Sequence, residues 1–165
     1  MRLAGWELEG ERPVERRYVM IAAPHTTNWD LVHVIAMAFA HGVKLRWVGK
    51  ASLFRWPFGW FFRMLGGRPV LRDRSTNTVA ESVARFAEED DLILMVPAEG
   101  ARARQEYWHS GFYHIAREAG VPIVLGYLDY ARKRGGWGPV LYPGADLVTD
   151  MDRIREFYKD KTGLY

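Results

Sequence analysis

A chain of 165 residues and 19.0 kDa, 48% of them hydrophobic, can bury one substantial core and is too apolar to remain disordered. It has no cysteine, which excludes disulfides, thiolate metal sites and a cysteine nucleophile. The net charge is only +3, yet residues 44–74 carry eight cations against the single anion Asp73, so a segment of +7 sits in a body of −4. Such a segment suits phosphate, an anionic membrane surface or nucleic acid.

In chain order, residues 6–17 read as an irregular or edge segment, and the apolar run 17–23 as a buried strand that stops at Pro24. A helix follows over 28–40, with Trp29, Val32, Ala36 and Phe39 sharing a face and Gly42 ending it. Residues 44–49 alternate as a second strand. The stretch 53–65 then mixes large aromatic and Met side chains with Arg55 and Arg63, and Gly66-Gly67 breaks it before a short strand at 69–71. A helix is expected over 76–88 with Val79, Val83, Phe86 and Ala87 at helical spacing. A compact strand follows at 92–96, then a loop from Pro97 to Arg104. A helix over 110–119, strands at 121–130 and 138–142, and a closing helix over 151–158 complete the pattern.

Strands alternating with helices of this length imply an α/β fold, a single domain over 1–165 with a mainly parallel sheet flanked by helices. Ligands of such sheets bind beyond the carboxyl ends of the strands, where both the loop at residue 25 and the loop at residue 99 are expected. No window reaches the ~20 apolar residues of a spanning helix. Residues 1–17 are charged and lack the apolar core of a signal peptide, so a cytoplasmic location is expected.

Three short motifs converge on that edge. His25 and Asp30, five positions apart, would lie about 140° from each other around one helix, so they meet only with His25 on the loop and Asp30 in the first turn. There the imidazole can donate one N–H to the carboxylate and keep its other nitrogen as a base. Asp30 alone also fits helix capping or first-turn charge against the helix dipole, and His33 fits a packed or surface histidine. The second motif is Glu99-Gly100-Ala101-Arg102-Ala103-Arg104, in which Gly100 permits a tight turn and Arg102 and Arg104 offer planar forks for phosphate oxygens. Taken by itself, the stretch fits a solvated surface loop with an Arg–Glu pair better. The third delivers Arg72 from the strand after Gly66-Gly67, unless Arg72 is simply an exposed arginine beside Asp73.

The order and spacing of these blocks resemble the glycerophospholipid acyltransferase superfamily, the lysophospholipid acyltransferase or PlsC-like proteins. Its His-x4-Asp block corresponds to His25 and Asp30, and its glycine–hydrophobic–Arg block to residues 67–72. Its Pro-Glu-Gly-Thr-Arg block corresponds to Ala98-Glu99-Gly100-Ala101-Arg102, and its Val-Pro-Ile strand to Val121-Pro122-Ile123. Ala98 and Ala101 replace the family's Pro and Thr, so one hydroxyl that could bond substrate or backbone is missing, and His109 stands where related short members tend to carry Lys. Larger members have a membrane-binding helical pair ahead of the His block, whereas this chain has about two dozen residues there and is expected to reach lipid another way.

The resemblance implies His25 as general base and Asp30 as its orienting partner, with Arg72, Glu99, Gly100, Arg102 and Arg104 binding the acceptor and its phosphate. The implied acyl donor is a thioester of acyl carrier protein or coenzyme A, and the acceptor a lysophospholipid or glycerol phosphate, with no cofactor and no metal. Trp56, Trp60, Phe61 and Arg63 suit the headgroup interface of an anionic membrane as well as they suit core packing, so peripheral association with its inner face is expected. A non-catalytic phospholipid-binding or membrane-surface module is the alternative. Nucleic acid is not expected as a partner, because the rest of the chain is net acidic and carries no nucleic-acid motif.

Overall fold

A computed structural model of the chain describes residues 2–3, 5–24, 29–40, 42–43, 45–70, 75–96, 98 and 108–164. Among them eight strands form one sheet in the order β1-β2-β8-β7-β3-β6-β4-β5. These strands are β1 (Arg2–Leu3), β2 (Trp6–Glu9), β3 (Arg17–Ala23), β4 (Leu45–Lys50), β5 (Gly67–Val70), β6 (Leu92–Val96), β7 (Ile123–Asp129) and β8 (Arg134–Leu141). β3 runs parallel to both of its neighbours, as do β4 with β5 and β6, and β2 with β8. Only β1 with β2 and β7 with β8 pair antiparallel, so the expected mainly parallel sheet flanked by helices is what forms.

Alternation along the three central strands builds two cores. Tyr18 and Met20 of β3, Ile93 and Met95 of β6, and Val124 and Leu128 of β7 point to one face. Helix α1 (Trp29–Ala40) covers that face with Val34 and Ala38, and the 3₁₀ turn Ala51–Phe54 with Phe54. Val19, Ile21, Leu92, Leu94, Ile123 and Leu125 point the other way. There they meet α3 (Ser75–Glu88), α4 (Gly111–Ala119) and α5 (Leu147–Tyr158) through Phe86, Phe112, Ile115, Ala116, Met151 and Ile154. Short α2 (Gly59–Met64) belongs to the α1 layer, because Phe62 packs on Trp47 and Phe54 and the Trp47 Nε1–H donates to the Leu65 carbonyl at 3.1 Å.

Several local expectations are corrected. The face of α1 that carries Val32 and Phe39 turns outward, with the two residues 52% and 70% exposed. Asp30, Val34 and Ala38, at i, i+4 and i+8, form the buried stripe instead. α1 is apolar nearly all round, so periodicity could not choose between its faces. Residues 6–9, read within an irregular or edge segment, form β2, second from the edge of the sheet, whose partner lies far along the chain in β8 (Glu7 opposite Arg134, Glu9 opposite Gly136). β8 begins at Arg134 rather than 138, its opening hidden by Gly135 and Gly136, a residue type depleted in strands. α5 begins a turn early because Asp146 caps it, accepting from the Val148 N–H at 3.0 Å and the Thr149 hydroxyl at 2.6 Å. Gly66 makes the turn into β5 at φ +83, where a Cβ would strike the Leu45 carbonyl oxygen.

Candidate active site

Parallel registry sets where the chain leaves the sheet. Ile21 of β3 lies opposite Val96 of β6, Ala23 opposite Tyr127 of β7, and Lys50 of β4 opposite Val70 of β5. The carboxyl ends of β3, β6, β7, β4 and β5 therefore share one edge, as the crossover pattern requires. His25, Arg72, Glu99, Gly100, Arg102 and Arg104 follow three of these strand ends in sequence, and all six lie outside the described residues. What is described is the frame around them. Ala98, directly after β6, is buried in the core of the α3–α5 side, and its carbonyl accepts from the His109 N–H at 3.0 Å. Ala98 and His109, the described residues on either side of 99–107, are thus tied together beyond the end of β6. The alanine that stands in place of the family's proline is a packing position.

Asp30 lies in the first turn of α1, only 4% exposed, and accepts a hydrogen bond from the Tyr130 hydroxyl at 2.6 Å. A carboxylate in a first turn is stabilised by the partial positive charge of the helix N-terminus, and the phenol adds a short donor. Tyr130 follows β7 directly. Its ring packs edge-on against Trp6 of β2 at 4.9 Å and against His33, one turn along α1, at 5.9 Å. His33 in turn lies 4.9 Å from Trp6, so it is the packed histidine expected. Burial first, and the bond to Asp30 second, push the Tyr130 phenol well above its ordinary range, so it is a neutral donor at neutral pH. Neighbouring Tyr127 is raised in the same way, by burial and by donating to Glu9 at 2.6 Å, while Arg134 holds Glu9 at 2.8 Å.

Tyr130 and Trp6 were not among the residues singled out from sequence. The available signal was position: Tyr130 ends a strand parallel to β3 and so comes out on the ligand edge.

The 53–65 stretch divides between the two fates weighed for it. Phe54 is buried and Leu53 and Phe62 partly so, whereas Trp56 is 92% exposed and Trp60 67%, with Phe61, Phe58 and Met64 exposed beside them. Arg63 is exposed too, but its guanidinium donates to the Phe54 carbonyl at 3.3 Å and lies 5.7 Å from that ring. No group of three or more metal-ligating side chains occurs among the described residues. No helix among them is long and apolar enough to cross a membrane.

Fold and site together define an α/β protein with a buried, phenol-bonded aspartate at a strand-to-helix junction on the ligand edge of its sheet. A family model described as Acyltransferase matches residues 6–125, and the chain belongs to that family. Over 112 residues it is 30% identical to the 1-acyl-sn-glycerol-3-phosphate acyltransferase of Streptococcus pneumoniae, an alignment that covers 67% of this chain and 40% of that protein. Its fold is similar to that of the crystal structure of the 1-acyl-sn-glycerophosphate acyltransferase PlsC from Thermotoga maritima. The TM-score is 0.64 at 17% identity, covering 92% of this chain and 68% of the other. The chain therefore spans well under half the length of the curated relative it matches.

Proposed function

We propose that this chain transfers a fatty acyl group from an acyl thioester, carried by acyl carrier protein or coenzyme A, to a hydroxyl of a lysophospholipid or glycerol-phosphate-type acceptor. The observation that carries this reading is the setting of Asp30, buried in the first turn of α1 on the ligand edge and five residues after His25. In this reading His25 removes the acceptor hydroxyl proton as that oxygen attacks the thioester carbonyl. The tetrahedral oxyanion then collapses, the C–S bond breaks, and the departing thiolate takes the proton back from the imidazolium. Asp30 holds the imidazole tautomer and stabilises its charged form. The strand order supports distinct roles for the arginines. Arg102 and Arg104 come after β6 in sequence and Arg72 after β5; β6 lies immediately beside β3, and β5 three strands, roughly 14 Å, from it. Arg102 and Arg104 therefore serve the acceptor phosphate nearest the reacting hydroxyl, Glu99 orients the acceptor, Gly100 lets the backbone approach it, and Arg72 closes the far side.

A lipid acceptor calls for a surface that meets lipid, and the α1 layer supplies one. From residue 31 to 72 the chain has no Asp or Glu. That stretch carries most of the exposed large apolar side chains, from Val32 and Phe39 to Trp56, Phe58, Trp60, Phe61 and Met64. In this reading the protein works on the inner face of the cytoplasmic membrane, with Trp56, Trp60, Phe61 and Arg63 at the headgroups. The same patch is what favours the second reading, a non-catalytic module that binds phospholipid or a membrane surface.

The two readings separate in one assay: thiol release from acyl coenzyme A and from acyl carrier protein, with and without a panel of lysophospholipids and glycerol phosphate. Acceptor-dependent release that falls by roughly 10²–10⁴-fold in His25→Ala is expected. Release that ignores the acceptor would mean hydrolysis. No release from any pair, with anionic vesicles still bound, would leave the binding module.

A further inference from the structure

We infer that Tyr130 is a positioning residue of this reaction, fixing the rotamer and charge of the Asp30 carboxylate through its hydroxyl. The inference rests on the acyl-transfer reading of His25 and Asp30 and names a third member that acts through them.

An aspartate that orients an imidazole works only if its carboxylate plane is held. The carboxylate of Asp30 is gripped at Oδ1 by a phenol 2.6 Å away that is itself immobilised. The Tyr130 ring is pinned by Trp6 and His33, and its backbone N–H donates to the Thr162 carbonyl at 2.9 Å. Four segments remote in sequence, around residues 6, 30, 130 and 162, thus meet at Tyr130. A carboxylate offers about four acceptor sites, so the phenol can hold Oδ1 while the group still accepts from an imidazole.

The bond also adjusts charge. A donor on Oδ1 draws density from the carboxylate, so the imidazolium that Asp30 stabilises is stabilised less than by a bare carboxylate. The hydroxyl therefore trades some basicity of His25 for alignment. Among the described residues, His33 on α1 is the titratable group in ring contact with Tyr130 besides Asp30. On the β2 and β7 side, Glu9 is occupied by Tyr127 and Arg134, and Lys161 lies over the rings of Tyr127 and Phe157.

The test is Tyr130→Phe, which keeps the ring packing and removes only the hydroxyl. It is set beside Asp30→Asn and the double variant, with His33→Gln as the background that removes the other imidazole in contact with Tyr130. Expected in Tyr130→Phe are a kcat lowered roughly 10- to 100-fold with KM for donor and acceptor little changed, and an acid limb of the kcat profile moved to higher pH. In the Asp30→Asn background the same change should cost almost nothing more. The His25 ring resonance, followed by NMR in the absence of substrate, should titrate at higher pH in Tyr130→Phe than in the wild type. Unchanged kcat and an unmoved His25 titration would overturn the inference, as would a full additive loss on top of Asp30→Asn. Failure of the acyl-transfer reading looks different: the wild type releases no thiol with any acceptor, while the NMR titration still decides whether the phenol acts on His25 through Asp30.

Discussion

If the α1 layer meets the membrane, Trp60→Ser must weaken vesicle binding by a calculable amount. Trp60 is 67% exposed. With about 250 Å² for a tryptophan, it offers ~170 Å² to a partner. Burying half of that at ~25 cal/mol per Å² contributes ~2 kcal/mol, roughly a thirtyfold change in partition coefficient. Arg55→Glu probes the charge part, since a cation near an anionic surface contributes ~1 kcal/mol. It is preferred to Arg63, whose guanidinium is already engaged with Phe54. The assay is sedimentation with phosphatidylcholine vesicles, with and without about a third phosphatidylglycerol. A matched control lies on the opposite layer: Val148 of α5 is also 67% exposed, and Val148→Ser should leave binding unchanged. Equal losses for Trp60→Ser and Val148→Ser, or a wild type that stays in the supernatant with anionic lipid, would refute the orientation.

Further outcomes are expected. Asp30→Asn should lower thiol release by roughly 10²–10⁴-fold with the fold retained by circular dichroism, because the amide can no longer stabilise an imidazolium. Arg102→Ala should raise KM for a phosphorylated acceptor and leave KM for the acyl donor alone; parallel rises in both would remove its assigned role. Tyr113→Phe should cost about 1–3 kcal/mol in urea unfolding without touching activity. Its hydroxyl donates at 2.8 Å to buried Asp150, which also accepts from the Gly144 N–H at 2.7 Å. Stability should also fall in alkali. Tyr113, Tyr127 and Tyr130 all have folded-state values raised, chiefly by burial, so their contribution is complete below the unfolded value of about 10 and is lost as pH rises beyond it. A thermal melting point unchanged from neutral pH into that range would contradict their burial.

Where composition and periodicity agree, sequence reading located elements to the residue, as for the strands at 17–23 and 92–96. Both are short apolar runs with charged residues or proline at their ends. It fell short where two faces are equally apolar, so that the face grouped on α1 was not the buried one, and where the deciding partner is distant, which left β2 within an irregular or edge segment and hid the first half of β8. The proposed site rests on spacing, since in sequence His25, Asp30 and the Glu99 loop come after strands whose carboxyl ends share one edge. Tyr130 was not legible, because nothing local marks a tyrosine after a strand as a partner for an aspartate a hundred residues earlier. Nor could residue types alone divide the aromatic stretch, where Phe62 turns to Trp47 while Trp60 turns to solvent; that division follows from the angular positions of α2 against β4.

The clasp at Tyr130 has a kinetic consequence. Its amide is bonded to the Thr162 carbonyl and its ring packs on Trp6 of β2, so both of those segments must stay docked for the hydroxyl to reach Asp30. Peripheral segments are where local opening is least costly. In the proposed acyl transfer, each excursion of either segment would therefore interrupt the hold of Tyr130 on Asp30. Hydrogen exchange at the Tyr130 amide reads the frequency of that interruption. In the proposed acyl transfer, pulling the segment around Thr162 away would slow turnover with every residue proposed for the acceptor site intact.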